Sequence, residues 1–282
     1  MRFISNRYLH SICLFLFVVF LFAVCSGCTN RISLKSMGGI AIDNGFLESR
    51  FHGRYFDLLE YVHNGKPTGD GHVLNVYLEG DGRAWLNRRT PASDPTPDNP
   101  VSFLLAMQDP HALVAYLARP CQFVSGAERR NCISPLWTSA RFSEPVVEET
   151  SRALDDLLRR TGANRLRLIG FSGGGALAVL MAARRADVVS LVTVAGNLDH
   201  AAWTSMHKVS PLVDSLNPMD VAQQVQHIEQ LHIAGADDAV VPPSIARRFV
   251  EAMPDPVAAR VVVIDGMGHH DDWSVAVPLI NP

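Results

Sequence analysis

A single α/β domain built on a mostly parallel sheet is the fold class this sequence predicts, and three observations carry it. The chain has 282 residues, 48% hydrophobic and 19% charged, which is enough apolar material for one large core. From residue 144 onward, strand-like apolar runs alternate with helix-like segments, the pattern of βαβ units. Within that stretch Val188–Ala195 is apolar but for Ser190 and Thr193, close to the unbroken run of a strand buried on both faces of a parallel sheet. Disorder is excluded for most of the chain, because it needs low hydrophobicity and high net charge. With a net charge of −3 and only three lysines (Lys35, Lys66, Lys208), the chain also lacks the basic field on which nucleic-acid binding rests.

The chain begins with Arg2 and Arg7 and no acid, followed by thirteen apolar residues, Ile12 to Val24. A basic start and an apolar stretch of this length read as an export signal. A membrane-spanning helix needs about 17–25 apolar residues, so an uncleaved anchor over residues 11–28 is the alternative. The segment ends Cys25-Ser26-Gly27-Cys28, which resembles the end of a bacterial lipoprotein signal, with Cys25 where that family usually has Leu. The resemblance implies cleavage before Cys28 and acylation of its thiol, hence an envelope protein held to a membrane through N-terminal lipid and facing the periplasm. Ordinary cleavage and secretion is the plainer reading. Residues 1–27 are then the signal, 28–45 a lipidated N-terminus and flexible tether, and 46–282 the folded domain.

Arg54–His63 and Val73–Glu79 read as strands joined by the turn cluster 64–71, which suits an antiparallel edge. Residues 80–100, with Pro91, Pro95, Pro97 and Pro100, form a long polar loop of the kind that is usually functional. Ala112–Leu117 is a short strand. Cys121 and Cys132 remain once Cys13 and Cys25 leave with the signal and Cys28 takes lipid. In an oxidising compartment they read as a disulfide across a polar, loop-like segment. Beyond it the expected elements are a helix over 144–160, a strand over 165–169, a helix over 175–185, the strand at 188–195, an irregular cover over 197–227, a strand over 230–234, a helix over 243–253, a strand over 260–264 and a last short helix over 272–279.

Ligands in such sheets sit beyond the carboxyl ends of the strands, so the residues that follow each strand matter most. After Ile169 comes Gly170-Phe171-Ser172-Gly173-Gly174, a G-x-S-x-G between strand and helix, where a strained turn projects a serine hydroxyl. A phosphate-binding loop is the weaker rival, since no lysine follows the glycines. After Ala234 comes Gly235-Ala236-Asp237-Asp238, and after Ile264 comes Asp265-Gly266-Met267-Gly268-His269-His270. On these three motifs the chain resembles the α/β-hydrolase superfamily over about residues 50–280.

The resemblance implies an α/β-hydrolase fold, helices on both faces of the sheet, a short cap over 197–227, and a serine hydrolase acting on carboxylic esters through an acyl-enzyme. The serine needs a base in contact and the base an orienting acid. Ser172, His269 and Asp238 fill those roles, with Asp237 and His270 as neighbouring alternatives. A solvated polar turn or a metal cluster is the other reading of His269-His270-Asp271-Asp272. Of the two N–H donors that stabilise an oxyanion, one falls on Gly173. The other falls in the loop Glu79-Gly80-Asp81-Gly82, where Glu79 replaces the family's usual His. Asp81 is the preferred donor, followed by Gly82, with the Asp81 carboxylate turned away and paired, in one possibility, with Arg83. Trp85, Trp137 and Trp203 line an acyl pocket or else fill core. No cofactor or metal is implied. A thioesterase, peptidase or acyltransferase on the same fold, or a non-catalytic binding lipoprotein, are the competing functions.

Overall fold

The structure is a computed structural model that describes residues 32–63, 65, 72–255 and 259–282. The expected signal, Cys28 and most of the 64–71 turn lie outside the described residues. Residues 32–282 form one compact unit.

That unit begins with a helix where a tether is expected. Helix α1 (Leu34–Asp43) starts at Ser33, whose hydroxyl accepts from the Ser36 N–H at 3.1 Å. Met37 and Ala41, one turn apart, are buried against the sheet. Tertiary burial overrides the weak helix propensity of Gly38-Gly39, so the tether reading fails from residue 32 onward.

Eight strands make the central sheet: β1 (Phe46–His52), β2 (Asp57–His63), β3 (Val73–Leu78), β6 (Val114–Leu117), β7 (Arg165–Phe171), β8 (Val188–Val194), β9 (Glu229–Gly235) and β10 (Ala259–Ile264). Their order is β1-β2-β6-β3-β7-β8-β9-β10. The pairs β1·β2 and β2·β6 are antiparallel and every other pair is parallel. The expected β2–β3 hairpin does not form, because β6 inserts between them and takes Tyr61 on one side and Tyr77 on the other as partners of Tyr116. β1 replaces β3 as the antiparallel neighbour of β2.

Alternation along the strands sends side chains to two cores. Leu74, Val76 and Leu78 of β3 belong to the core that also takes in Val147 and Leu154 of α3 (Glu144–Thr161), Leu180 of α4 (Gly173–Ala182) and Phe249 of α6 (Pro243–Glu251). Tyr77 of β3 and Ile169 of β7 point the other way, towards α1, α2 (Val101–Ala106) and the terminal α7 (Val277–Ile280). α4 is buried at every position, and it is apolar all round because it lies between the sheet and the cover. That cover is more ordered than expected. It holds α5 (His200–His207), capped by Asp199 onto the Ala202 N–H at 3.0 Å, and a 3₁₀ turn over Pro218–Val225. Residues 80–100 likewise carry a small hairpin, β4 (Trp85–Asn87) and β5 (Thr90–Pro91). Among the described residues no helix is long and apolar enough to cross a membrane.

Candidate active site

Each group of the site stands where a parallel strand ends. β7 runs into Ser172, whose backbone sits at φ 51° and ψ −118° before α4 begins. A non-glycine residue at positive φ is costly and is held there only by its surroundings. The surroundings are tight: a Cβ on Gly174 would strike the Leu78 carbonyl, and one on Gly170 would strike Gly174 itself. The motif glycines are therefore a packing requirement of the β3–β7–α4 junction.

Asp238 follows β9 and His269 follows β10, and both are buried. His269 Nδ1 lies 2.7 Å from Asp238 Oδ2, and His269 Nε2 lies 3.2 Å from Ser172 Oγ. The other Asp238 oxygen accepts the Val240 and Val241 N–H groups at 2.8 and 2.7 Å, which fixes the carboxylate. The imidazole is held by the Phe171 ring, 5.1 Å away, and through its backbone carbonyl by Trp273 Nε1 at 3.2 Å. Asp237 and His270 are exposed beside this chain and stand outside it. Asp271 and Asp272 accept from the Gly268 and Ser274 N–H groups, so they serve their own turn.

The β3 end supplies the opposite wall. Gly80 gives its N–H to Glu79 Oε1 at 2.8 Å, and Arg83 gives its own to Pro95 O at 2.9 Å. Among the described residues the N–H groups of Asp81 and Gly82, between them, meet no protein acceptor. Gly82 holds φ +66°, where a Cβ would collide with Pro95 O, so the turn admits no side chain there. The Asp81 carboxylate does not turn away, and it does not pair with Arg83. It lies against Gly173, where a Cβ would strike it, and bonds Arg119 Nη1 at 2.9 Å and Arg141 Nη1 at 2.5 Å. Both arginines are buried and require a counter-charge. Arg83 is more exposed and faces Asp98 at 3.9 Å. Burial pushes the Asp81 carboxyl upward, but Arg141 and Arg119 outweigh it and hold the group below the usual carboxylate range. Glu79 has no such partner. Burial raises it to about 7, against bonds from the Gly80, Ser102 and Phe103 N–H groups.

Sequence reasoning missed Arg119, Arg141 and Gln122. Arg119 follows β6 closely and was open to the same rule of reading past strand ends, whereas Arg141 carries no local signal. Gln122 belongs to the disulfide loop. Cys121 and Cys132 are bridged, with Cα atoms 5.6 Å apart. The loop between them is only half what its polarity suggests: Gln122, Phe123 and Val124 are buried. Gln122 Nε2 donates to Gly80 O at 2.9 Å, and its Oε1 accepts from the Arg119 N–H at 3.2 Å. The loop thus braces the turn that carries Asp81 and Gly82.

Ser172 and His269 open on a pocket of about 470 Å³, lined also by Trp85 and Trp203. Trp137 is not at the pocket; it packs with Ala84 and Cys121 and gives its indole N–H to Ala92 O at 3.1 Å.

An acid–imidazole–serine chain at the carboxyl edge of an α/β-hydrolase sheet is the arrangement that serine hydrolases use for acyl transfer. Residues 137–270, which contain all three groups, match the family model described as Serine hydrolase (FSH1). A comparison with curated protein sequences gives no match. Among solved structures, the chain is similar to an alpha-beta serine hydrolase homologue from Coxiella burnetii, at 17% identity and a TM-score of 0.57, covering 83% of this chain and 95% of that one. A puromycin-hydrolyzing peptidase of Mycobacterium tuberculosis matches at 16% identity and 0.58, over 82% of this chain but 37% of the peptidase. A bacterial membrane phospholipase A, a virulence factor, matches at 15% identity and 0.52, over 98% and 94%. At these identities the likeness is one of fold, and the fold is that of the α/β-hydrolases.

Proposed function

We propose that the protein is a serine hydrolase that cleaves carboxylic esters through an acyl-enzyme on Ser172, tethered in the bacterial envelope by lipid on Cys28. The observation that supports the chemistry best is the unbroken Asp238–His269–Ser172 hydrogen-bond chain opening on the pocket. His269 Nε2 takes the Ser172 proton as Oγ attacks the ester carbonyl carbon. Negative charge collects on the carbonyl oxygen, which the N–H groups of Gly173 and Asp81 receive, with Gly82 beside them. Collapse breaks the acyl–oxygen bond, and His269 returns its proton to the departing alkoxide. Water then repeats the sequence, with His269 as base, and releases the acid and free Ser172. Asp238 keeps Nδ1 protonated and stabilises the imidazolium without taking the proton.

The Asp81 side chain fits this role in spite of its charge. Two guanidiniums around one carboxylate leave a net positive cluster behind the oxyanion position, which favours the developing charge. The test is fluorophosphonate labelling of the folded, disulfide-intact protein beside Ser172→Ala, with short-chain p-nitrophenyl esters and matched anilides run in parallel. Labelling and ester turnover lost in the variant are expected. No labelling sinks the hydrolase reading in favour of a binding protein, and equal turnover of anilides makes it a peptidase. Palmitate incorporation that disappears in Cys28→Ala tests the tether, and an uncleaved N-terminus by mass refutes it.

A further inference from the structure

We infer that the face around the pocket mouth is a docking surface for an anionic lipid bilayer, so that the pocket draws its acyl ester from the membrane that holds the N-terminus. The substrate and the lipid tether in this inference rest on the function proposed above. Three independent features point to it. The first is where the chain enters the folded unit: the Ile32 N–H donates to the Asp98 carbonyl at 3.0 Å, and Asp98 is part of the pocket wall. Cys28 is four residues earlier, so at most about 14 Å of extended chain separates it from that rim. On the lipid tether proposed above, the mouth of the pocket stays within reach of the bilayer surface.

The second is an apolar rim. Trp85 and Leu86 on β4 are 44% and 52% exposed, and Met206 and Val209 at the end of α5 are 46% and 38% exposed. Arg88 on the β4–β5 turn joins the two elements, reaching the carbonyls of His207 and Lys208 at 3.2 and 3.3 Å. Trp85 and Trp203 carry the same two elements into the pocket wall.

The third is charge. Residues 83–91 hold Arg83, Arg88 and Arg89, and residues 200–208 hold Lys208; neither segment has a single acid, in a chain whose net charge is −3. Asp98 stands 3.9 Å from Arg83, and Asp199 caps the far end of α5 through the Ala202 N–H. Large apolar side chains in segments that carry cations and no carboxylate of their own suit the interface of an anionic bilayer, where both contributions add.

Tryptophan quenching reads the docking directly. Residues 1–31 contain no Trp, Trp137 and Trp273 are buried and Trp203 is half-buried in the pocket wall, so the most exposed reporter of the chain is Trp85. In phosphatidylglycerol vesicles with brominated acyl chains, fluorescence should be quenched, and the quenching should fall by at least about half in Trp85→Phe. A Leu86→Asp/Val209→Asp double variant should lose the quenching and cleave vesicle phospholipid at least about tenfold more slowly, while p-nitrophenyl acetate turnover stays within about twofold, which also reports folding. Absence of quenching in the wild type, or a double variant that matches it on vesicles, overturns the inference. Failure of Ser172 to label would remove the hydrolase reading but leave the quenching result to stand by itself.

Discussion

Removing the Cys121–Cys132 bridge should damage catalysis as well as stability, and the two effects can be separated. The bridged residues are 11 apart in sequence. Loop-closure entropy for that length is about 9 cal/mol/K, or about 3 kcal/mol at 25 °C. Unfolding entropy of about 2.1 cal/mol/K per residue over residues 32–282 converts this into a fall in Tm of about 5 °C. Catalysis is affected through the backbone. Cys121 and Phe123 both hold positive φ, +70° and +57°, and Gln122 lies between them with its amide on Gly80 O. Each such conformation stores about 1 kcal/mol or more, and without the bridge the segment can relax and release Gly80. The turn carrying the Asp81 N–H then loses its brace. Complete loss of one oxyanion donor costs about 10²–10³ in kcat, so a loosened donor should cost about tenfold or more, with KM little changed. The assay is ester turnover of Cys121→Ala/Cys132→Ala and of dithiothreitol-treated wild type, against Tm. A fall in Tm with kcat held within about twofold would refute the reasoning, because Gln122 would then be held by its own hydrogen bonds alone.

Asp238→Asn should lower kcat by about 10⁴ by presenting the wrong partner to His269 Nδ1, while Asp237→Asn stays within about twofold; steady-state kinetics checks both. Asp81→Asn leaves two buried guanidiniums short of a counter-charge and should destabilise by about 3–5 kcal/mol, read from urea midpoints. Glu79 is raised to about 7 in the folded protein from an ordinary value of 4.5. The unfolded chain therefore releases this proton first, and stability falls as pH rises from about 4.5 to 7, by about 3 kcal/mol in all. Glu79→Gln should flatten that slope in urea titrations between pH 5 and pH 8, and an unchanged slope would assign it to other groups.

The catalytic edge was legible because it is local. Ser172, Asp238 and His269 each stand within a few residues of a strand that announces itself by an apolar run, so reading past the strand ends finds them. What brings them together is the parallel order β7-β8-β9-β10, which the alternation of elements already implies. The amino-terminal half was less readable. β1 contains Glu48, Ser49 and Arg50 and lies at the sheet edge, where one face is solvated and no apolar run is needed. α1 is made helical by what Met37 and Ala41 touch, which a propensity scale does not see. The Asp81–Arg119–Arg141 cluster joins positions 38 and 60 residues apart. Ion pairs at that separation leave no trace in any sequence window, and so Arg83, the nearest cation in the chain, was the natural but wrong partner.

The insertion of β6 between β2 and β3 has a kinetic consequence. β1 and β2 can meet as a local hairpin, but neither can join the sheet until residues 114–117 arrive, and β3 gains its other neighbour only at residue 165. Non-local pairing of this kind makes folding slow, since chain closure must come before any contact rewards it. An amino-terminal stretch that cannot complete its sheet while it is being synthesised stays open longer, with its strand edges unpaired. Shortening the route from β2 to its partner should therefore make the protein fold sooner and leave less time for those edges to pair with another chain.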